Sequence, residues 1–315
     1  MTSLLSLVGR FGRQTLILGL VCGLAFPGVA EALRPWVGEL IICLLIVTSM
    51  RVGITAAFGS VNHLRPALAR ILGLQVLLPL TAFAVFSILG IVGWAIPLAL
   101  VLMLAAPSVT GAPNFAIMAG IDPEPGLRLL VLGTALFPLT ALPILVALEE
   151  SVEGAGSGLG HAAGLALAIV LSVGAGFGLR RLIPWVARPA SRPALDGIAA
   201  LLLAVVVVGL MSAVGPVARS DPFELIAWLS AAFAANLGLV LATFLIATRA
   251  GLADPIPTAI YAGNRNVALF LIVLPEAVSA PLMLFIGCYQ IPMYLTPYLV
   301  SVLSRHSGNG SADQL

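Results

Sequence analysis

Arg265 is the residue of this sequence whose chemistry most needs an explanation. It lies between Asn264 and Asn266 in the stretch "GNRNVALFLIVLP", within an apolar run from Pro255 to Leu274. A guanidinium group at the centre of a membrane-spanning helix costs about 2.5 to 3.5 kcal/mol on insertion scales. We therefore treat Arg265 as a candidate binding residue, provided that the segment around it lies in a membrane.

The other side chains that could perform catalysis or bind metal are scattered. The three cysteines lie in apolar stretches far apart, and the three histidines fall in loops or in the C-terminal tail. Neither set has the spacing of a disulfide framework, a thiolate metal site or a catalytic cluster. The sequence therefore predicts no enzyme, no metal site and no cofactor, and it gives no sign of a nucleic-acid partner.

The composition is that of a polytopic membrane protein. Hydrophobic residues make up 60% of the chain, charged residues make up 9%, and the mean hydropathy is +1.13. Runs of about 20 apolar residues are long enough to cross a hydrocarbon core of about 30 Å. Ten such spans are predicted, over residues 15–33, 37–52, 69–90, 94–120, 126–148, 159–180, 195–217, 224–249, 255–275 and 281–303.

Arginine sets the predicted orientation, because the chain contains no lysine. With a cytoplasmic N-terminus, twelve of the 15 arginines flank the cytoplasmic side and two lie outside, which agrees with the positive-inside rule. Ten spans then place both termini in the cytoplasm. The alternative is a cleavable signal peptide, since two arginines precede the apolar "LILGLVCGLAF" and the small-residue "GVAEA".

An internal repeat relates the fourth and ninth spans. "GAPNFAIMAGIDPEP" (111–125) and "GNRNVALFLIVLPEA" (263–277) match at five positions with one ungapped offset. Each segment opens the last two spans of a five-span half, and five is odd, so the second half enters the membrane inverted. The sequence therefore predicts an all-α fold of two inverted five-helix repeats, residues 1–150 and 151–315, as in many secondary transporters.

Both repeated segments should interrupt their helices. Pro107, Gly111 and Pro113 lie within seven residues of the fourth span, and Gly263 lies among polar neighbours in the ninth. Opened backbone at mid-membrane is tolerated where it lines a cavity or is buried in protein. We expect the two interruptions to cross near the midplane, with half-helix N-termini lending positive potential. The alternative is that the prolines only kink packed helices.

These features resemble the bile acid:sodium symporter family and its bacterial members. The resemblance rests on the ten inverted spans, on the break before Asn114 and on the break before Asn266, with "LLPLTAF" and "PLTALP" as further similar segments. It implies a core domain of spans 3–5 and 8–10, a panel domain of spans 1, 2, 6 and 7, and uptake of organic anions with sodium. It also implies a bacterial inner membrane.

The family's sodium ligands are not matched in this chain. The resemblance implies a serine where Pro113 stands, hydroxyl side chains where Leu127 to Val131 are apolar, and a glutamate and a glutamine where Tyr261 and Arg265 stand. The third-span glutamine corresponds to Gln75, one residue out of register. Sodium needs oxygen ligands and is repelled by a neighbouring guanidinium group, so family-type sodium coupling is not expected.

The sequence therefore predicts a secondary transporter of a small organic anion, without sodium coupling of the family type. Arg265 would replace the bound cation or clamp a substrate carboxylate, or else it only satisfies carbonyls at a broken helix. Alternatives are a sodium-coupled symporter, an arsenite-type or auxin-type efflux carrier, and a non-transporting receptor. The predicted binding residues are Gln75, Thr110, Asn114, Tyr261, Asn264, Arg265 and Asn266, and the predicted helix-break residues are Gly111, Pro113 and Gly263.

Overall fold

The computed structural model describes residues 2–52, 64–118 and 120–308, and most of them are helical. Helices satisfy backbone hydrogen bonds internally, which an apolar chain in lipid requires. The α-helices are α1 (Thr2–Arg10), α2 (Gly12–Ala25), α3 (Pro27–Leu33), α4 (Val37–Val52), α5 (Leu64–Leu72), α6 (Leu78–Ile88), α7 (Ala95–Ala105), α8 (Ala112–Met118), α9 (Glu124–Ser151), α10 (Gly158–Leu182), α11 (Pro184–Ala187), α12 (Arg192–Ser220), α13 (Pro222–Arg249), α14 (Pro255–Gly263) and α15 (Glu276–Gly308).

Short turns of other helix types connect some of these elements. A π-helical turn joins α5 to α6 without a break, and a 3₁₀ turn joins α3 to α4. The remaining two 3₁₀ turns lie between α11 and α12 and between α14 and α15. These turns cover Arg34–Trp36, Gly73–Leu77, Pro189–Ser191 and Val267–Ile272.

Within the described residues, seven helical stretches are long and apolar enough to cross a membrane. Two shorter apolar helices, Gln14–Ala25 and Ala95–Ala105, accompany them. The chain is thus an integral membrane protein. The seven stretches are Pro27–Arg51, Leu64–Ile88, Glu124–Ser151, Gly158–Leu182, Arg192–Ser220, Pro222–Arg249 and Glu276–Ser304.

Three of the ten predicted spans are not continuous helices. The first span divides before Pro27, because proline has no N–H to donate and instead begins the next helix, which runs on through Arg51. The fourth span stops at Ala105 and resumes at Ala112. The ninth stops at Gly263 and continues as a 3₁₀ turn from Val267.

One of two compact units comprises Met1–Gly59, Leu145–Trp228 and Ala268–Gly287. Within it, helices pack closely where small residues face a neighbour. A methyl group at Gly197 of α12 would overlap the carbonyl oxygen of Leu5 in α1. Such small-residue contacts let helix backbones approach one another when no hydrophobic driving force exists between helices in lipid.

The other unit comprises Ser60–Ile144, Leu229–Val267 and Cys288–Leu315. Its buried core includes Ile71 of α5, Leu129 of α9 and Tyr261 of α14. Both interruptions, at 106–111 and 264–266, lie in this unit together with Arg265. The candidate site is therefore built entirely within it.

Candidate functional site

The two helix interruptions pair with each other as a short antiparallel β-bridge between Ser108 and Arg265. The Asn266 N–H donates to the Pro107 oxygen at 2.7 Å, and the Val109 N–H donates to the Asn264 oxygen at 2.8 Å. These bonds replace helical hydrogen bonds that the interruptions remove, which a buried backbone requires. The pairing fixes Arg265 beside the end of α7.

The Arg265 side chain is buried and donates to three backbone carbonyl groups. Its Nε donates to Ala262 at 2.8 Å, its Nη1 to Ala106 at 2.9 Å and its Nη2 to Leu74 at 3.1 Å. The residue is only 2% exposed, and it forms no ion pair with a carboxylate in the described part of the chain. Carbonyl oxygens, rather than an acidic side chain, therefore stabilise this buried cation.

Each of these carbonyl groups is free for a definable reason. Ala106 follows the last residue of α7, and Ala262 lies in the last turn of α14, where carbonyls have no partner further along the helix. Leu74 lies in the π-helical turn, where the Leu78 N–H bonds five residues back to Gly73, and the next partner in this pattern would be Pro79, which has no N–H. Arg265 thus draws together the carbonyl ends of two helices and a π turn.

The expected electrostatic sign at the interruptions was wrong. Half-helix N-termini were expected to lend positive potential, but the helix ends that contact Arg265 are the C-termini of α7 and α14. Helix C-termini carry the negative end of the helix dipole and favour a cation. The positive potential at this point comes from the guanidinium group, and the helix ends stabilise it.

Tyr261 and Gln75 extend the site on one side of the guanidinium group. The carbon centre of the guanidinium lies 5.1 Å from the Tyr261 ring centroid, in cation–π range. The Tyr261 hydroxyl donates to Gln75 Oε1, and Gln75 Nε2 donates to Thr140 Oγ1 at 3.1 Å. Gly133 of α9 makes room for this contact, since a methyl group there would lie 2.7 Å from Gln75 Oε1.

Asn236, Asn264 and Thr296 form a second, fully buried network. Asn236 Nδ2 donates to the Gly263 oxygen at 2.5 Å and to Asn264 Oδ1 at 3.2 Å. The Thr296 hydroxyl lies 2.9 Å from Asn264 Oδ1 and 3.1 Å from Asn236 Oδ1. The Tyr289 hydroxyl also donates to the Gly263 oxygen. Helices α13 and α15 therefore hold the end of α14 that precedes Arg265.

The structure brings some of the predicted binding residues together and leaves others apart. Arg265, Asn264, Tyr261 and Gln75 belong to the connected, buried site described above. Gly263 also belongs to it, through its carbonyl oxygen. Among the other predicted positions, Asn266 is partly buried and bonded through its backbone N–H, Thr110 and Gly111 are partly buried, Pro113 is buried, and Asn114 is exposed.

Five residues of the site were not predicted from the sequence. Asn236 had a visible signal, since it is the one amide in a long apolar helix, whereas the hydroxyl groups of Thr296, Tyr289, Thr140 and Ser108 had none. Apart from the local contacts of Thr140 with Phe137 and of Thr296 with Pro292, their partners lie 24 to 156 residues away in sequence. Only the folded arrangement shows which carbonyl or amide each one meets.

Two polar atoms on α15 are buried without a partner among the described residues. They are Gln290 Oε1 and Tyr294 Oη, four residues apart and hence on one helix face. In the ranges 2–52, 64–118 and 120–308, no group of three His, Cys, Asp or Glu side chains could hold a metal ion.

No family model matches this chain, and no characterised protein is significantly similar to it in sequence.

Proposed function

We propose that this protein is a secondary transporter of a small organic anion, in which Arg265 occupies the place of a coupling cation. The proposal joins the resemblance to the bile acid:sodium symporter family with the site around Arg265. It includes ten spans in two inverted repeats, a core and a panel domain that move by alternating access, and a bacterial inner membrane with both termini cytoplasmic.

The observation that carries the proposal is the set of carbonyl oxygens around the guanidinium group. Oxygens at the ends of two interrupted helices and at a π turn are the kind of ligands that a bound sodium ion would use. Here Arg265 meets all three of them. A tethered cation needs no ion gradient to fill the site, so transport would run without family-type sodium coupling.

Gln75 supports the same assignment. The resemblance places a glutamine one residue away, and the π turn over Gly73–Leu77 is the local feature that accommodates one additional residue in a helix. Gln75 therefore still reaches the site, where it accepts from Tyr261. Its amide now contacts a phenol and a hydroxyl group where the family's pattern implies an ion.

A direct anion clamp is the second candidate role for Arg265. The guanidinium group has five N–H bonds, and three of them are directed at described carbonyl oxygens. The two remaining Nη hydrogens are available to donate to the oxygens of one carboxylate or sulfonate group. The burial of the side chain favours the cation-substitute role, because a clamp would require the ligand to enter a closed environment.

Ligand binding by the purified protein tests the proposal. Taurocholate and small aliphatic mono- and dicarboxylates would be screened by thermal stabilisation in sodium and in potassium at equal ionic strength. We expect stabilisation by at least one anion that is equal in the two salts. A shift that saturates with sodium alone would support the sodium-coupled alternative and contradict the proposal.

Arg265→Gln then separates the two roles. Binding of the anion found in the screen should weaken about 10- to 150-fold, corresponding to about 1.5 to 3 kcal/mol for a charge-assisted hydrogen bond. A cation substitute predicts that neutral analogues of that anion weaken too, whereas a clamp predicts that they bind both forms alike. Arg249→Gln, at an exposed position, is the matched control and should change little.

Flux into proteoliposomes distinguishes a transporter from a receptor. The anion that stabilises the protein should accumulate or exchange across the membrane, and Arg265→Gln should abolish this flux. Binding without flux would indicate the non-transporting receptor. Flux of arsenite, or of an indole carboxylate outward only, would indicate one of the efflux alternatives.

A further inference from the structure

A basic platform lies where α10 turns into α12, in the unit that does not contain Arg265. The segment "RRLIPWVARPASR" carries four arginines within thirteen residues and no acidic residue. Arg181, Arg188 and Arg192 are exposed. In the described part of the chain, none of these three guanidinium groups forms a hydrogen bond or an ion pair.

The neighbouring charged side chains are hydrogen-bonded or ion-paired within the protein. Arg180 donates to the carbonyl oxygen of Met50, near the end of α4. Arg51 pairs with Asp196 at 2.8 Å, so the carboxylate nearest in sequence to the platform is occupied. The three exposed guanidinium groups consequently keep their full positive charge toward the surroundings.

The platform is held in place by packing. Val186 of α11 is buried against Met50 and Leu195, with Trp185 packed beside them. The Ser191 hydroxyl donates to the Trp185 carbonyl oxygen and closes the turn before α12. The arginines are therefore presented from a structured support.

Apolar side chains are exposed next to these arginines. Leu182 is 78% exposed and Ile183 is 41% exposed. Exposed apolar groups beside unpaired guanidinium groups, at the end of a membrane-spanning helix, match an amphiphile that has an anionic head and hydrocarbon chains. A soluble anion would use the arginines and leave Leu182 and Ile183 uncovered.

We propose that Arg181, Arg188 and Arg192 form a binding site for an anionic phospholipid. The lipid phosphate accepts hydrogen bonds from the guanidinium groups, and its acyl chains cover Leu182 and Ile183. The site is independent of the proposed transport function, because every residue in it belongs to the other unit.

Lipid titration of the full chain in detergent tests this site. Phosphatidylglycerol and cardiolipin should raise the melting temperature saturably, phosphatidylcholine should not, and the effect should fall as salt is added. Arg181→Gln, Arg188→Gln and Arg192→Gln together should lower the affinity for the anionic lipids, by about fivefold for each arginine replaced. Native mass spectrometry should count fewer retained anionic lipids on this triple variant.

The control is a triple variant with the same charge change at three other exposed arginines, Arg65→Gln, Arg219→Gln and Arg249→Gln. It should keep its lipid affinity within about twofold, as expected for exposed arginines that do not belong to the proposed site. Equal losses in the two triple variants would overturn the proposal, as would equal shifts with phosphatidylcholine or with inorganic phosphate. If the first triple variant does not purify, its three single variants are judged by the same criterion.

Discussion

The two helix interruptions differ in how their buried backbone carbonyl groups obtain hydrogen-bond donors. The first, at 106–111, contains proline and glycine and carries no charge, and its Ala106 carbonyl is satisfied from outside. The second, at 264–266, contributes Arg265, which satisfies that carbonyl and also Ala262 in its own helix. One cation therefore bonds to both helix ends, and the two interruptions differ in charge.

This asymmetry concentrates the energetic importance in the second interruption. Hydrogen bonds to charged groups contribute about 1.5 to 3 kcal/mol each, against about 1 kcal/mol for neutral ones. The first interruption contributes only neutral groups, and the charged hydrogen bonds, including the one to Ala106, come from Arg265 of the second. The network of Asn236 and Thr296 also holds the second interruption. Substitutions in the second interruption should consequently have larger effects.

Arg265→Gln should have the largest effect on stability. It leaves three buried carbonyl oxygens without their charged donor, and each unsatisfied group costs about 1 to 3 kcal/mol, so the loss should be at least about 3 kcal/mol. Arg265→Lys should lose less, since it keeps the charge without the planar fork. Chemical unfolding in detergent measures both. A loss for Arg265→Gln no greater than that of exposed Arg249→Gln would refute the asymmetry.

Gly263→Ala should come next. The added methyl group would lie 2.6 Å from the Asn236 carbonyl oxygen and would also meet Val240, so α13 and α14 would have to separate. Overpacking of this kind costs about 1 to 3 kcal/mol. Gly238→Ala on α13 is the control, because a methyl group there meets open space. Equal melting temperatures for the two variants would show that this close approach does not matter.

Thr296→Val tests the network that holds α14. It removes the hydroxyl group between Asn236 and Asn264 while it keeps the side-chain volume, and it should cost about 1 to 2 kcal/mol. The control is Thr81→Val at an exposed position, where the hydroxyl donates to the carbonyl oxygen of Leu77, four residues earlier. If the two threonine variants unfold at the same denaturant concentration, the Thr296 hydroxyl does not stabilise the network that holds α14.

Ser108→Ala should have the smallest effect. The Ser108 hydroxyl donates to the Asn264 oxygen at 3.2 Å, but that oxygen already accepts from the Val109 N–H. The expected loss is about 0.5 to 1 kcal/mol by the same unfolding measurement. A loss as large as that of Arg265→Gln would mean that the first interruption is as important as the second.

Local patterns predicted the apolar helices and their interruptions, because proline, glycine and hydropathy act on the segment that contains them. Asn264 and Arg265 were predicted as site residues since polar groups in an apolar run stand out, whereas Tyr261 was predicted only from the family resemblance, at the position of a glutamate. Thr296 and Tyr289 were not, because a hydroxyl in a helix can bond to its own backbone and its distant partner leaves no trace in the sequence.

The division of the first span had a local cause, Pro27, that hydropathy alone did not reveal. The sequence around each interruption also could not predict whether helix N-termini or helix C-termini would contact Arg265. Each interruption creates one C-terminus and one N-terminus, and only the pairing of Ser108 with Arg265 determines which of these ends receives the guanidinium group.

The most direct measurement is chemical rescue of Arg265→Ala. If the guanidinium group is a tethered cation in a cage of carbonyl oxygens, free methylguanidinium at about millimolar concentration should stabilise this variant saturably and leave the wild-type protein unchanged. Methylammonium should stabilise it less, having no planar fork. Equal responses to methylguanidinium in Arg265→Ala, Arg249→Ala and the wild-type protein would contradict a cation site at this position.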